Sequence, residues 1–292
     1  MKRTYAENIA LAGERCKQKQ ALEQSGSGVS MASFTVPTVS KPSLCLPMWP
    51  EHIRGVPNSV LRSALFGAIK RGRRPFQQGE VLASVDGVVV LFTGPRLDQA
   101  DLDVWEQCLN LARTGGLGTR IQFSACSFLK AIGRSSGGND IEWLKNAFRR
   151  LSASVVEIKD GKRAYFGPML YGGARDDETG QYVIEMNLAI VTLYGTDGWT
   201  GIQFEERKEL RRQPLAQWLH GFYSTHAKPF AYKVGTLHRL CGSEALQLFS
   251  FRQELREALD KLSVVTGWTW NIDDSDLVHV VKTLKCVCGT AT

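Results

Sequence analysis

Residues 119–171 read TRIQFSACSFLKAIGRSSGGNDIEWLKNAFRRLSASVVEIKDGKRAYFGPMLY. Thr119–Phe123 has the look of a short strand, with Ile121 and Phe123 two residues apart on one face. Ser124 is placed to cap a short helix, Cys126–Ile132, because its hydroxyl can accept from an otherwise unpaired amide. Gly133-Arg134-Ser135-Ser136-Gly137-Gly138 is a turn. Asn139 or Asp140 can cap a longer helix to about Ser152, in which Ile141, Leu144, Phe148 and Leu151 form one apolar stripe. Val155–Lys159 and Arg163–Tyr171 flank Asp160-Gly161 as a hairpin, and Gln181–Met186 can add a third strand. Short helix, glycine turn, longer helix, hairpin is the order of a winged helix-turn-helix.

The same order recurs towards the C-terminus. Pro214–His226 predicts a helix with Leu215, Trp218, Leu219 and Phe222 inward. A short strand at Phe230–Lys233 precedes a short helix, Thr236–Cys241, closed by Gly242. Ser250–Thr266 is the longer helix, with Leu255, Ala258, Leu259 and Leu262 inward. Trp268–Ile272 and Val278–Leu284 form the last hairpin around Asp273-Asp274.

Upstream, Asn58 or Ser59 can cap a helix running to about Lys70, with Val60, Leu61, Ala64, Leu65 and Ala68 as its buried stripe. Glu80–Ser84 and Val88–Thr93 flank Asp86-Gly87, a hairpin signal. Asp98–Arg113 is an amphipathic helix carrying Leu102, Trp105, Leu109 and Ala112 on one face. Residues 2–24 can form a weakly amphipathic helix, and Ser25–Ser43 reads as a flexible linker. The expected fold class is therefore α+β: two tandem winged helix-turn-helix domains, 57–196 and 197–292, behind a flexible segment, 1–56.

Chemistry that the sequence lacks narrows the function. No Gly-x-x-x-x-Gly-Lys-Ser/Thr loop is present to cradle nucleotide phosphates. The five histidines include no His-x-His or His-Glu-x-x-His, so the metal site of a tyrosine-type DNA nickase or a zinc hydrolase is missing. The seven cysteines are scattered without a Cys-x-x-Cys pair, which predicts neither zinc nor disulfides. Asp176-Asp177-Glu178 reads as a solvated turn, the alternative being a metal-dependent nuclease site. No catalytic constellation and no cofactor are expected. No stretch approaches the roughly 20 apolar residues of a membrane span, and Met1–Asn8 has no secretion-signal core, so a cytoplasmic protein is expected.

The chain carries 36 Lys and Arg against 29 Asp and Glu, a net charge of +7, which permits a polyanionic partner. In a helix-turn-helix the longer helix enters the major groove, so its outer face should contact phosphates and bases. In the first copy that face offers Asn139, Glu142, Lys145, Asn146, Arg149 and Arg150. Ser135, Ser136 and the amides of Gly137-Gly138 can receive a phosphate, and Lys162 and Arg163 add cations on the hairpin. In the second copy the face offers Ser250, Arg252, Gln253, Arg256 and Lys261, with Glu254, Glu257 and Asp260 cancelling charge. Support comes from Lys228, Lys233 and Arg239. Two basic runs, Lys70–Arg74 (with Arg71, Arg73 and Arg74) and Arg207–Arg212, add weight to phosphate contact.

Three longer stretches carry a resemblance: LPMWPEHIRGVPNSVLRSALF (46–66), IEWLKNAFRRLSASVVEI (141–158) and LAQWLHGFYSTHAKPFAYKVGTLHRLCGS (215–243). They resemble the TrfA family of plasmid replication initiators from about Leu44 to Leu284. The resemblance implies binding to direct repeats (iterons) in the double-stranded DNA of a plasmid origin and opening of a neighbouring A·T-rich segment, with possible contact to its single strands. It also implies recruitment of the host initiator DnaA and the helicase DnaB, with a monomer–homodimer equilibrium set through the first winged helix. The family carries a clamp-binding motif, Gln-Leu-x-Leu-Phe/Trp, at the position of Cys45–Trp49. Leu46, Met48 and Trp49 would then anchor in a groove of the polymerase sliding clamp; otherwise Trp49 packs on the first domain. A winged-helix transcriptional repressor is the alternative function.

Overall fold

The computed structural model describes residues 46–283, apart from 71, 73, 86, 116–119, 162 and 196–197. The readings made above for residues 2–24 and 25–43, and for Cys45, lie outside it. Along the chain come β1 (Ile53–Pro57), α1 (Asn58–Leu61), β2 (Phe66–Gly67), β3 (Phe76–Leu82), β4 (Val89–Pro95), β5 (Leu97–Asp98) and α2 (Gln99–Gly115). There follow β6 (Arg120–Ser124), α3 (Ala125–Ala131), α4 (Gly138–Ala153), β7 (Val155–Asp160), β8 (Arg163–Pro168), β9 (Gly172–Asp176), β10 (Gln181–Glu185) and a 3-10 helix, Leu188–Tyr194. The last group is β11 (Trp199–Gln203), α5 (Phe204–Glu209), α6 (Pro214–Ser224), β12 (Tyr232–Lys233), α7 (Val234–Leu240), α8 (Leu248–Thr266), β13 (Thr269–Ile272) and β14 (Leu277–Val281).

Both helix-turn-helix units form as the sequence order indicates, and both close in the same way. Ser124 caps α3 by accepting from the amide of Ser127 at 3.1 Å. Gly133 and Gly242 sit just beyond α3 and α7 at φ +72° and +61°, a conformation that costs glycine little and lets the chain reverse into the second helix. The longer helix α4 begins two or three residues earlier than a cap at Asn139 or Asp140 would place it. Its N-cap is Gly137, without a side-chain cap, and Asp140 sits in its first turn.

The wing of the first copy is not the hairpin next to α4. A winged helix needs the strand preceding the helical pair to join the wing, and here β6 pairs with β10, which pairs with β9. The second copy has the same order, β12-β14-β13. The hairpin β7–β8 instead extends a four-stranded sheet, β3-β4-β7-β8. Alternation explains the choice: Val156 and Ile158 on β7 point inward opposite Phe92 and Val90 on β4, and all four are buried. The true wing depends on Gly173, where a Cβ would lie 2.1 Å from the carbonyl oxygen of Val183.

A second correction concerns Asn58–Lys70. Only α1 is helical there. Ser63 bridges Ser84, the amide of Ala64 donates to Ala83 at 2.8 Å, and β2 runs parallel to β5. Residues 63–67 are all buried, which is the signature of a segment enclosed on both sides rather than of a helix with one wet face.

Two hydrophobic cores result. The first unites the apolar stripe of α2 (Leu102, Trp105, Leu109, Ala112) with Val90, Phe92, Val156 and Ile158, and with an aromatic group of Phe123, Phe128, Phe148 and Tyr182. The second packs α6 on α8, with Trp218 and Phe222 stacked at 4.7 Å and Leu255, Leu259, Val278 and Val280 beneath. Strand β11 pairs with β1 and its Ile202 joins the first core, whereas the second begins at Leu210. The polar face of α2 meets α5 and α6 between them. There Arg207 is 1% exposed and lies 2.7 Å from Asp103 and 3.3 Å from Glu106. Its guanidinium also donates to the carbonyl and side-chain oxygens of Gln99, each at 3.1 Å.

Candidate nucleic-acid interface

On α4, Asn139 and Arg149 are exposed, and Asn146 is half-buried between them. Glu142, Asn146 and Arg149 form one polar chain: Arg149 donates to Asn146 Oδ1 at 2.7 Å and to Glu142 Oε1 at 3.2 Å. The entry to the helix is rigid. Arg134 lies 3.4 Å above the ring of Trp143 and donates to Asp140 at 3.0 Å, while the Ser135 hydroxyl donates to the other Asp140 oxygen. The Ser135 hydroxyl and Arg134 hold the Asp140 carboxyl below its usual range. Ser136, Gly137 and Gly138 remain exposed at this turn.

Arg150 shares this flank of α4 but turns towards α2. Its guanidinium grips Asp101 of α2, with Nε at 3.2 and 3.1 Å from the two carboxylate oxygens and Nη2 at 2.6 Å from one of them. Burial and the neighbouring Asp98 raise the Asp101 carboxyl, and the Arg150 fork opposes them. Arg150 is a tie between α2 and α4 rather than a groove contact. Replacing it with alanine should cost about 1–3 kcal/mol of folding stability by stranding a buried acceptor, with DNA affinity per folded molecule unchanged. Urea denaturation beside a binding titration checks both halves.

The wing tip is acidic, and its carboxylates are engaged. Asp176 accepts from the amides of Glu178 and Thr179 at 2.8 and 3.3 Å and from the Thr179 hydroxyl at 2.8 Å, holding its own turn. Asp177 pairs with Lys145 of α4 at 2.9 Å and with Arg175 at 3.1 Å, and both partners hold it below the usual carboxylate range. Among the described residues no group of His, Cys, Asp and Glu is placed to hold a metal. Arg163 opens β8, paired with Asp160 at the tip of the four-stranded sheet, so it loses its place on a wing. Lys162 itself is outside the described residues.

The second copy repeats the device. Arg252 of α8 donates to both oxygens of Asp276, at 2.9 and 2.7 Å, in the wing turn. Ser250, Arg256 and Lys261 on α8, with Lys233 and Arg239 at either end of α7, are exposed. None of these cations has an ion-pair partner among the described residues. Phe249 stands among them, 73% exposed. The helical period could have singled it out, because it falls opposite the buried stripe of Phe251 and Leu255.

Two cations of the basic runs are taken up by the structure, while Lys70 and Arg212 stay exposed. Arg74 pairs with Asp98, Lys70 reaches Glu254 at 2.7 Å, and Arg207 is buried. Arg71 and Arg73 are outside the described residues. The supposed clamp anchors are also occupied. Leu46 and Trp49 are both 4% exposed in the first core, and Met48 alone is exposed. Trp49 stacks with Tyr194 at 6.2 Å, and its indole nitrogen donates to Asn110 at 3.3 Å. It covers Gly55, where a Cβ would lie 2.4 Å from the indole.

Two helical pairs, each with its own three-stranded wing sheet and an outward polar stripe on the longer helix, define a tandem winged-helix protein. The family model described as TrfA protein matches residues 35–282, and the chain belongs to that family. The plasmid replication initiator protein TrfA of Escherichia coli is 25% identical over 289 residues, spanning 95% of this chain and 72% of that one. Among solved structures, domains 2 and 3 of RctB superpose with a TM-score of 0.52 at 11% identity, over 77% of this chain and 96% of that one. The Pi initiator protein in complex with iteron DNA gives 0.46 at 12% identity, over 62% and 92%. Among the described residues no helix is long and apolar enough to cross a membrane.

Proposed function

We propose that the protein is a plasmid replication initiator that binds direct repeats of its origin as duplex DNA. The observation that carries this reading is the pair of helix-turn-helix units with exposed outer stripes, in a chain of the TrfA family. Each longer helix lies in a major groove, and Lys233, Arg239 and Lys261 meet phosphates, so affinity falls steeply with salt. Binding then promotes opening of an A·T-rich segment and loading of DnaA and DnaB, with no chemical step by the protein itself. A sliding-clamp contact through Leu46 and Trp49 would require that segment to leave the first core. A circular DNA bearing the origin should replicate only when the protein is supplied. Promoter silencing without replication would favour a repressor instead.

Arg256 is the strongest candidate for direct base contact, since no carboxylate holds it among the described residues, whereas Arg149 is shared with Glu142 and Asn146. Arg256→Ala should weaken binding to the repeat by about 1–3 kcal/mol and binding to random duplex by less. Equal losses on both, in a fluorescence anisotropy titration, would make it a phosphate contact.

A homodimer would form through the first lobe. The outer face of the four-stranded sheet places Val81, Leu91 and Phe166, all exposed, in one row broken at β7 by Glu157, with Val89 and Val155 in the rows beside it. Such a face gains by being covered. Phe166→Asp should shift the protein to monomer in sedimentation velocity without lowering repeat affinity; an unchanged dimer fraction would place the contact elsewhere.

A further inference from the structure

The two longer helices are chemically unlike. The outer stripe of α4 is polar throughout and bonded to itself through Glu142, Asn146 and Arg149. That of α8 runs Phe249, Gln253, Arg256 at i, i+4, i+7, so the three side chains lie above one another on a single face. Gln253 donates to Glu257 at 3.4 Å, and what sets this stripe apart is the exposed ring of Phe249. Phe249 belongs to the first turn of α8, the part of a recognition helix that reaches base edges. Its ring packs into neither core, although a phenylalanine left in water forgoes the stabilisation of burial. The start of α7 packs by the start of α8, the Cβ position of Gly235 lying 3.9 Å from Leu248, and the exposed Lys233 is the N-cap of α7. The surroundings therefore suit a polyanion, and an apolar group within a polyanion's groove has one natural counterpart. Only thymine presents a methyl group in the major groove.

We infer that Phe249 is a specificity-determining residue that packs on the C5-methyl of a thymine, making the second helical pair the one that reads a T-containing step. The inference rests on the duplex-DNA reading above and adds which residue reads and which base it reads. Gln253 and Arg256, further along the stripe, contact the neighbouring pairs, since Gln can pair with adenine and Arg with guanine. The α4 pair, whose outer stripe carries no exposed apolar side chain among the described residues, serves position and register more than sequence.

The test begins by selecting bound sequences from a randomised duplex library with the full chain. Each thymine of the selected duplex is then replaced by deoxyuridine, which removes only the methyl. One such replacement should weaken the wild-type protein by about three- to five-fold, the worth of one buried methyl. The same replacement should leave Phe249→Ala unaffected and Phe249→Leu partly sensitive, with the thermal midpoints of both variants unchanged because the site is exposed. If Phe249→Ala loses as much as wild type at every uracil, the assignment to Phe249 is overturned while duplex reading stands. If the library yields no enriched sequence, duplex reading itself fails and the inference falls with it.

Discussion

Arg207→Ala should lower folding stability by about 3–5 kcal/mol, measured by urea denaturation, more than any single change on the outer faces of α4 or α8. The wild-type guanidinium sits between α2 and α6, buried, with Asp103 and Glu106 on one side and carbonyl oxygens of Gln99 and Gln217 on the other. Among the described residues, alanine would leave Asp103 with only the Gln217 amide, at 3.3 Å, and strand the fully buried Glu106. The deficit should depend on pH, with a sign that follows from Glu106. Burial pushes its carboxyl up to about 7 even with Arg207 present, and neither oxygen has a hydrogen-bond donor among the described residues. A carboxyl whose folded value lies above its unfolded value of 4.5 costs stability once ionised. That cost is full above about 7, shrinks as the pH falls towards 4.5, and is larger still without the arginine. The stability difference between variant and wild type should therefore narrow between pH 8 and pH 5.5. A difference that stays constant would show that Glu106 is not the stranded group.

Trp49→Ala should cost about 3–5 kcal/mol, the usual price of emptying a large aromatic site in a core. The indole is stacked on Tyr194, tilted against Trp199 at 5.9 Å and hydrogen-bonded to Asn110, so little around it can collapse into the space. Met48→Ala, one residue away and 72% exposed, should be close to neutral by contrast. The comparison decides between the two readings of this segment. A loss below about 1 kcal/mol for Trp49 would mean that the side chain is free to dock on another protein.

The parts of the fold that the sequence disclosed are those governed by local rules. Ser124, Gly133, Gly242 and the 3.6-residue stripes of α2, α4 and α8 announce caps, stops and buried faces within a few residues of themselves. What it concealed depends on partners far along the chain. The hairpin at Asp160-Gly161 is real, but its attachment to β4 instead of β6 turns on alternation shared between strands more than 60 residues apart. The stripe at Val60–Ala68 is buried as expected, yet enclosure from both sides makes it extended. For the interface, exposure separates Arg256 from Arg150 and Arg207. All three look alike in sequence, and only the packing of α2 against its neighbours reveals that two of them are internal counterions.

The pairing of Lys145 with Asp177, and of Arg252 with Asp276, gives each copy a built-in rival for whatever anion approaches its longer helix. A nucleic-acid backbone would have to evict a tethered carboxylate before it could claim the cation. Any duplex bound through these two helices would meet that cost at the same two points, whatever its sequence. Asp177→Asn together with Asp276→Asn should therefore tighten binding to repeat and random duplex alike, read as parallel gains in an anisotropy titration.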